Sequence, residues 1–216
     1  MKRISANHNS TDWKEELSDR HSIVWVQGIE ILKSRFGSRY LRPIEYLQSS
    51  TDKVVKYNSG FLIMSIDCLL IETLNQFFLG LGKTDEKYFS NNTNKEFKNN
   101  SQAFRDFFIY SSFFSDFNRD TKLYSVFYDE IRCGLLHQAA SKTHSLINIR
   151  EQKMISYINK VDSSNGLIVN RNIFHEALLN EFNKYLKDLE NADSKNLFGE
   201  YLRDTCNRKM KDLCLL

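Results

Sequence analysis

The stretch Phe61-Leu62-Ile63-Met64-Ser65-Ile66-Asp67-Cys68-Leu69-Leu70-Ile71-Glu72, which continues to Phe77-Phe78-Leu79-Gly80, decides the fold. Apolar side chains surround most of the helical circumference here, so the spacing predicts a helix packed on several sides and opened by Asn58-Ser59-Gly60. Asp67, Glu72, Asn75 and Gln76 interrupt the run, which makes it a buried core helix and not a membrane span. A carboxylate in so apolar a setting needs a partner, so Asp67 and Glu72 are each expected to have one.

Outward from this helix the pattern stays helical. A helix is expected from Asp19 to Arg35, ended by Gly37, with Pro43 in the first turn of a short helix through Ile44 and Leu47. Residues 81 to 100, rich in Asn and Ser, read as a loop. Helix returns over Gln102 to Phe117, dense in Phe, and again from about Thr121 into Arg132 to His137. The run Phe104, Phe107, Phe108, Tyr110, Phe113, Phe114 and Phe117 reads as core or dimer interface before it reads as a base-stacking platform. Beyond Ile149 the pattern changes. Met154 to Val161, the turn signal Asp162-Ser163-Ser164-Asn165-Gly166 and Leu167-Ile168-Val169 predict a β-hairpin. A last long helix is expected over Asn172 to Asn191, and a partly helical tail over Lys195 to Leu216. The chain thus reads as one mainly α domain over residues 1–216: a helical body at about 20–150, a small β-hairpin near 154–170, and C-terminal helices to 216.

Composition agrees. Eight Gly and one Pro favour helices over a turn-rich β architecture, and a hydrophobic fraction of 41% suffices for a core. The formal charge of +3, from 30 basic and 27 acidic residues, does not mark a strongly basic nucleic-acid binder, although a local patch can replace a global excess. Cys68, Cys133, Cys206 and Cys214 form no Cys-x-x-Cys pair, which excludes a zinc ribbon or thioredoxin-like motif. Met1-Lys2-Arg3 leads into polar residues and not an apolar signal segment, so reduced thiols and a cytoplasmic location are expected, with no membrane partner.

The one conspicuous candidate site is Arg132-Cys133-Gly134-Leu135-Leu136-His137. Five residues on a straight α-helix separate Arg132 from His137 by about 140°, so the two do not stack on one face. Either the helix starts or bends between them, with Gly134 as the irregularity, or another surface completes the site. The plain alternative pairs Arg132 with Asp129 or Glu130 and leaves His137 a satisfied surface or core histidine. Cys133 is spaced wrongly for a thiolate pair with His137, while His21, His144 and His175 show no ligand spacing. Lys142, Arg150 and Lys153 form either a basic rim or a solvated face.

Tyr128-Asp129-Glu130-Ile131-Arg132-Cys133-Gly134-Leu135-Leu136-His137-Gln138 resembles the Arg-x4–6-His signature of the HEPN superfamily, helical bundles found in toxin–antitoxin, abortive-infection and CRISPR-associated systems. Cys133 stands where that superfamily often has Asn, Asp or His. The resemblance covers about residues 20–150 and implies a HEPN-like bundle and a metal-independent endoribonuclease, a toxin or phage-defence effector without a cofactor. It implies Arg132 and His137 as the catalytic pair, with Glu72, Cys133 and Gln138 in support, Glu72 orienting Arg132. It also implies RNA as substrate, a homodimer in which two pairs share one cleft, and an antitoxin or regulatory partner. The chemistry suits the residue types: the RNA 2′-hydroxyl is the nucleophile, histidine moves protons, and arginine holds the phosphoryl oxygens. The competing expectation is a non-catalytic HEPN-like module that binds RNA or nucleotide, or only dimerises.

Overall fold

A computed structural model of the chain describes residues 2–14, 25–82, 88–90, 93–95, 100–119, 122–142, 144–159 and 165–215. It is mainly helical, with a two-stranded and a three-stranded sheet among the described residues. The order is α1 (Val26–Phe36), α2 (Arg42–Ser49), α3 (Lys53–Asn58), α4 (Gly60–Leu79), β1 (Tyr88–Ser90), β2 (Thr93–Lys95), α5 (Asn100–Tyr110), α6 (Leu123–Val126), α7 (Cys133–Gln138), β3 (Leu146–Asn148), β4 (Ile155–Asn159), β5 (Asn165–Asn170), α8 (Arg171–Glu190) and α9 (Leu202–Leu215). Two compact units share these elements: Met1–Pro43 with Thr73–Asn100 and Phe182–Leu216, and Ile44–Glu72 with Ser101–Glu181.

In the first unit Phe36 packs against Phe77 and Phe182, with ring centroids 5.6 and 4.7 Å apart, and the buried Arg203 donates to the carbonyls of Leu189 and Glu190 at the end of α8. Gly37 does not end the helix before it. It keeps right-handed geometry, and a π-helical segment, Gly37–Leu41, carries the chain into α2. Pro43 supplies the reason: it has no N–H to give, and its ring crowds the carbonyl one turn back, a conflict that a widened turn relieves. Arg42 N–H accordingly bonds to the Gly37 carbonyl, five residues back. The expected start of that helix, Asp19, lies outside the described residues. The stretch read as loop contains the antiparallel pair β1–β2, with Phe89 opposite Asn94.

The second unit is built on phenylalanine. Phe108 stacks on Phe117 at 3.7 Å and Phe127 on Phe174 at 5.2 Å, so the aromatic run is core at Phe104, Phe107, Phe108, Phe114 and Phe117, while Tyr110 and Phe113 stay exposed. The expected helix to Phe117 breaks after Tyr110, because the Ser111 hydroxyl donates to Glu181 (2.6 Å) and accepts from Phe113 N–H; a 3₁₀ turn, Ser115–Arg119, comes next. The predicted hairpin is present as β4–β5 in antiparallel register, with Tyr157 opposite Leu167. A third strand not expected from the sequence, β3, runs parallel to β5 on its other side. Gly166, read as a turn residue, lies inside β5: a Cβ there would fall 1.5 Å from the His144 carbonyl oxygen, so the approaching backbone demands glycine.

Two buried polar contacts fix α4 in this unit. At the α3–α4 joint, Arg171 donates to the Lys56 carbonyl and the Ser59 hydroxyl, taking the acceptor that the next helical turn would use and kinking the helix there. Asp67, fully buried, bonds to Nδ1 of His175 on α8 at 2.7 Å. Burial pushes the Asp67 carboxyl above its usual range, and the His175 hydrogen bond and charge pull it partly back. By length and composition α4 is the one described helix apolar enough to cross a membrane, yet 56% of its most apolar window is buried inside the protein.

Removing His175 leaves Asp67 buried without a donor. His175→Ala should cost about 3 kcal/mol at pH 7 by chemical denaturation, and Asp67→Asn added to it should recover most of that loss. A folded-state value raised above the ordinary 3.8 means that ionising Asp67 subtracts stability as pH climbs past 3.8, so the His175→Ala deficit should shrink at pH 4.

Candidate active site

Helix α6 does not run smoothly into α7. A π-helical segment, Phe127–Arg132, lies between them, marked by the Cys133 N–H bonded to the Tyr128 carbonyl. A π turn inserts a residue and rotates the helix on its N-terminal side relative to the helix on its C-terminal side. Phe127 and Ile131 stay in the core before the junction, and Gly134 and Leu135 after it. Arg132, the last π residue, turns toward α4.

There its Nε and Nη2 donate to one Glu72 oxygen, at 3.1 and 2.6 Å. The ion pair is largely enclosed, with 12% of the Arg132 side chain and 20% of the Glu72 side chain exposed. Burial alone would lower the Arg132 pKa, but the Glu72 hydrogen bond and charge outweigh it and the net shift is upward. The Tyr128 ring lies under the guanidinium at 5.3 Å, one helical turn before it, and meets Phe104 edge-on. Burial raises the Tyr128 pKa, and the Arg132 charge pulls it partly back. No described residue accepts from Nη1 of Arg132. The guanidinium is therefore held on two sides.

Asp129 and Glu130, the local partners considered for Arg132, do other things. Asp129 is exposed, and Glu130 holds the return loop: its carbonyl accepts from Lys142 N–H (2.9 Å) and its carboxylate from His144 N–H (3.4 Å). That loop starts at Ala139, left-handed at φ 52°, and passes so close to Gly134 that a Cβ there would lie 2.5 Å from the Ala140 carbonyl oxygen. Gly134 therefore admits a backbone, and the irregularity anticipated there is supplied by the π turn before it.

His137 and Gln138 are exposed at the end of α7, beside Leu136, which is 49% exposed. Since Cys133–Gln138 is α-helical, Arg132 and His137 keep the wide angular separation expected from their spacing. One is held inward by Glu72 and the other faces out. Cys133 is half-buried; Lys142 is half-buried, and Arg150 and Lys153 are exposed. His175 is buried against Asp67, and His21 lies outside the described residues. Among the described residues no three His, Cys, Asp or Glu side chains form a set able to hold a metal ion. Sequence reasoning overlooked Tyr128; its four-residue spacing from Arg132 was the available signal. No protein-family model, curated protein or solved structure matches this chain.

In an open helix Gly→Ala stabilises by up to about 1 kcal/mol. Here the loop backbone blocks the methyl group, so Gly134→Ala should instead destabilise by about 1–3 kcal/mol, measured as a lower denaturation midpoint.

Proposed function

We propose that this chain is a HEPN-like, metal-independent endoribonuclease, acting as a homodimer in which the Arg132–His137 elements of two copies share one cleft, in the manner of a toxin or phage-defence effector. The observation that carries the reading is the Arg132–Glu72 pair, which immobilises a guanidinium at the helical junction leading to an exposed histidine. A cation fixed before substrate arrives needs no reorganisation as charge grows on a phosphoryl group. In the reaction the RNA 2′-oxygen attacks the adjacent phosphorus, the bond to the 5′-oxygen breaks, and a 2′,3′-cyclic phosphate forms. One histidine takes the 2′-hydroxyl proton and another gives one to the departing oxygen. Each chain offers one His137, so twofold pairing supplies the second.

A specific observation favours the other reading, a non-catalytic RNA- or nucleotide-binding module: only 12% of the Arg132 side chain is exposed, and His137 lies on another side of the helix. Kinetics separate the two. His137→Ala should lower RNA cleavage at least about 100-fold while leaving the assembly intact by sedimentation. Arg132→Lys, which loses the planar fork, should also lose activity. Growth arrest on expression, relieved by His137→Ala, would support the effector role; RNA cleavage undiminished in His137→Ala would refute the assignment.

A further inference from the structure

Helices α3 and α4 each carry exposed apolar or basic side chains on the side away from the core. Lys53 and Tyr57 are exposed on α3 and Phe61, Leu62 and Leu69 on α4, on either side of the Ser59 joint, and Glu72, which holds Arg132, lies further along α4. Tyr57 is 59%, Phe61 42%, Leu62 54% and Leu69 46% exposed.

The charges on this face identify what would cover it. Asp52, at its start, is engaged: its carboxylate accepts from Val54 and Val55 N–H as the cap of α3. Glu72, at its end, is engaged by Arg132. Lys53 and Lys56 have no ion-pair partner among the described residues. A second copy docked through the same face would bring two more lysines and no free carboxylate, because a twofold interface presents one patch to itself. A polyphosphate strand with unpaired bases supplies what the face lacks: phosphates for the lysines and flat rings for Tyr57 and Phe61. A duplex keeps its base faces stacked inside and cannot offer them.

We infer that the exposed face of α3 and α4 is a track for single-stranded RNA, with bases stacked on Tyr57 and Phe61 and the backbone held by Lys53 and Lys56, delivering the strand toward Arg132. The inference rests on the ribonuclease reading for its direction, but the binding it describes is measured apart from cleavage.

The test uses the full chain carrying His137→Ala and a labelled twelve-nucleotide RNA, single-stranded or annealed to its complement, monitored by fluorescence anisotropy. The single strand should bind at least about tenfold more tightly than the duplex. Tyr57→Ala and Phe61→Ala should each weaken it by roughly tenfold, with Phe61→Trp retaining the affinity and melting temperatures unchanged. Lys53→Gln with Lys56→Gln should flatten the slope of log affinity against log salt by about 1.4, the contribution of two single-strand phosphates. Equal binding of duplex, affinity indifferent to the two rings, or no binding overturns the inference. So does a dimer that falls to monomer in Tyr57→Ala/Phe61→Ala, which would make a second copy the occupant. Failure of the ribonuclease reading looks different: RNA incubated with the chain carrying the native His137 remains intact, yet the His137→Ala chain binds it through Tyr57 and Phe61.

Discussion

An apolar helix that carries two carboxylates must bring a donor to each of them, and the unit containing the candidate site is arranged around that need. Asp67 and Glu72 stand five residues apart on α4, so they point in different directions and recruit different elements. Asp67 takes His175 from α8; Glu72 takes Arg132 from the π-helical segment before α7. An unpaired buried charge is costly, whereas apolar contacts tolerate some sliding. These two pairs therefore set the register of α4 against its neighbours more sharply than its leucines and isoleucines do.

Backbone irregularity serves the same end. The π turn at Phe127–Arg132 aims Arg132 at Glu72 while Phe127 and Ile131 before it and Leu135 after it stay in the core. The return loop then closes over Gly134 and Gly166, the two places where a side chain would stand in its way. Arg171 performs a comparable task at the α3–α4 joint, where the carbonyl it captures belongs to the helix it kinks.

The long elements were legible because periodicity extends over many residues. The helix from Gly60 to Leu79, the β4–β5 hairpin and the helix from Arg171 to Glu190 lie where apolar spacing and turn residues placed them. What escaped depends on contacts distant in sequence or on single hydrogen bonds. Neither π segment has a compositional signature, the break at Ser111 requires Glu181 seventy residues away, and β3 is too short to announce itself without β5 beside it. At the site, the need of Asp67 and Glu72 for partners was visible, as was a role for Glu72 toward Arg132 through the family resemblance. The choice of His175 for Asp67 was not visible, and neither was the exposed face of α3 and α4, whose residues look like ordinary core when burial is unknown.

In the proposed reaction Arg132 is a cation fixed in advance and His137 is the group that moves protons at its outer edge, with the RNA supplying its own nucleophile. The chemical form of the product ends is the most direct test. RNA incubated with the purified chain in excess chelator should yield fragments ending in 2′,3′-cyclic phosphate and beginning with a 5′-hydroxyl. A substrate lacking the 2′-hydroxyl at the cleaved position should remain whole. Fragments with 3′-hydroxyl and 5′-phosphate ends, or cutting of the deoxy-substituted position, would contradict this mechanism.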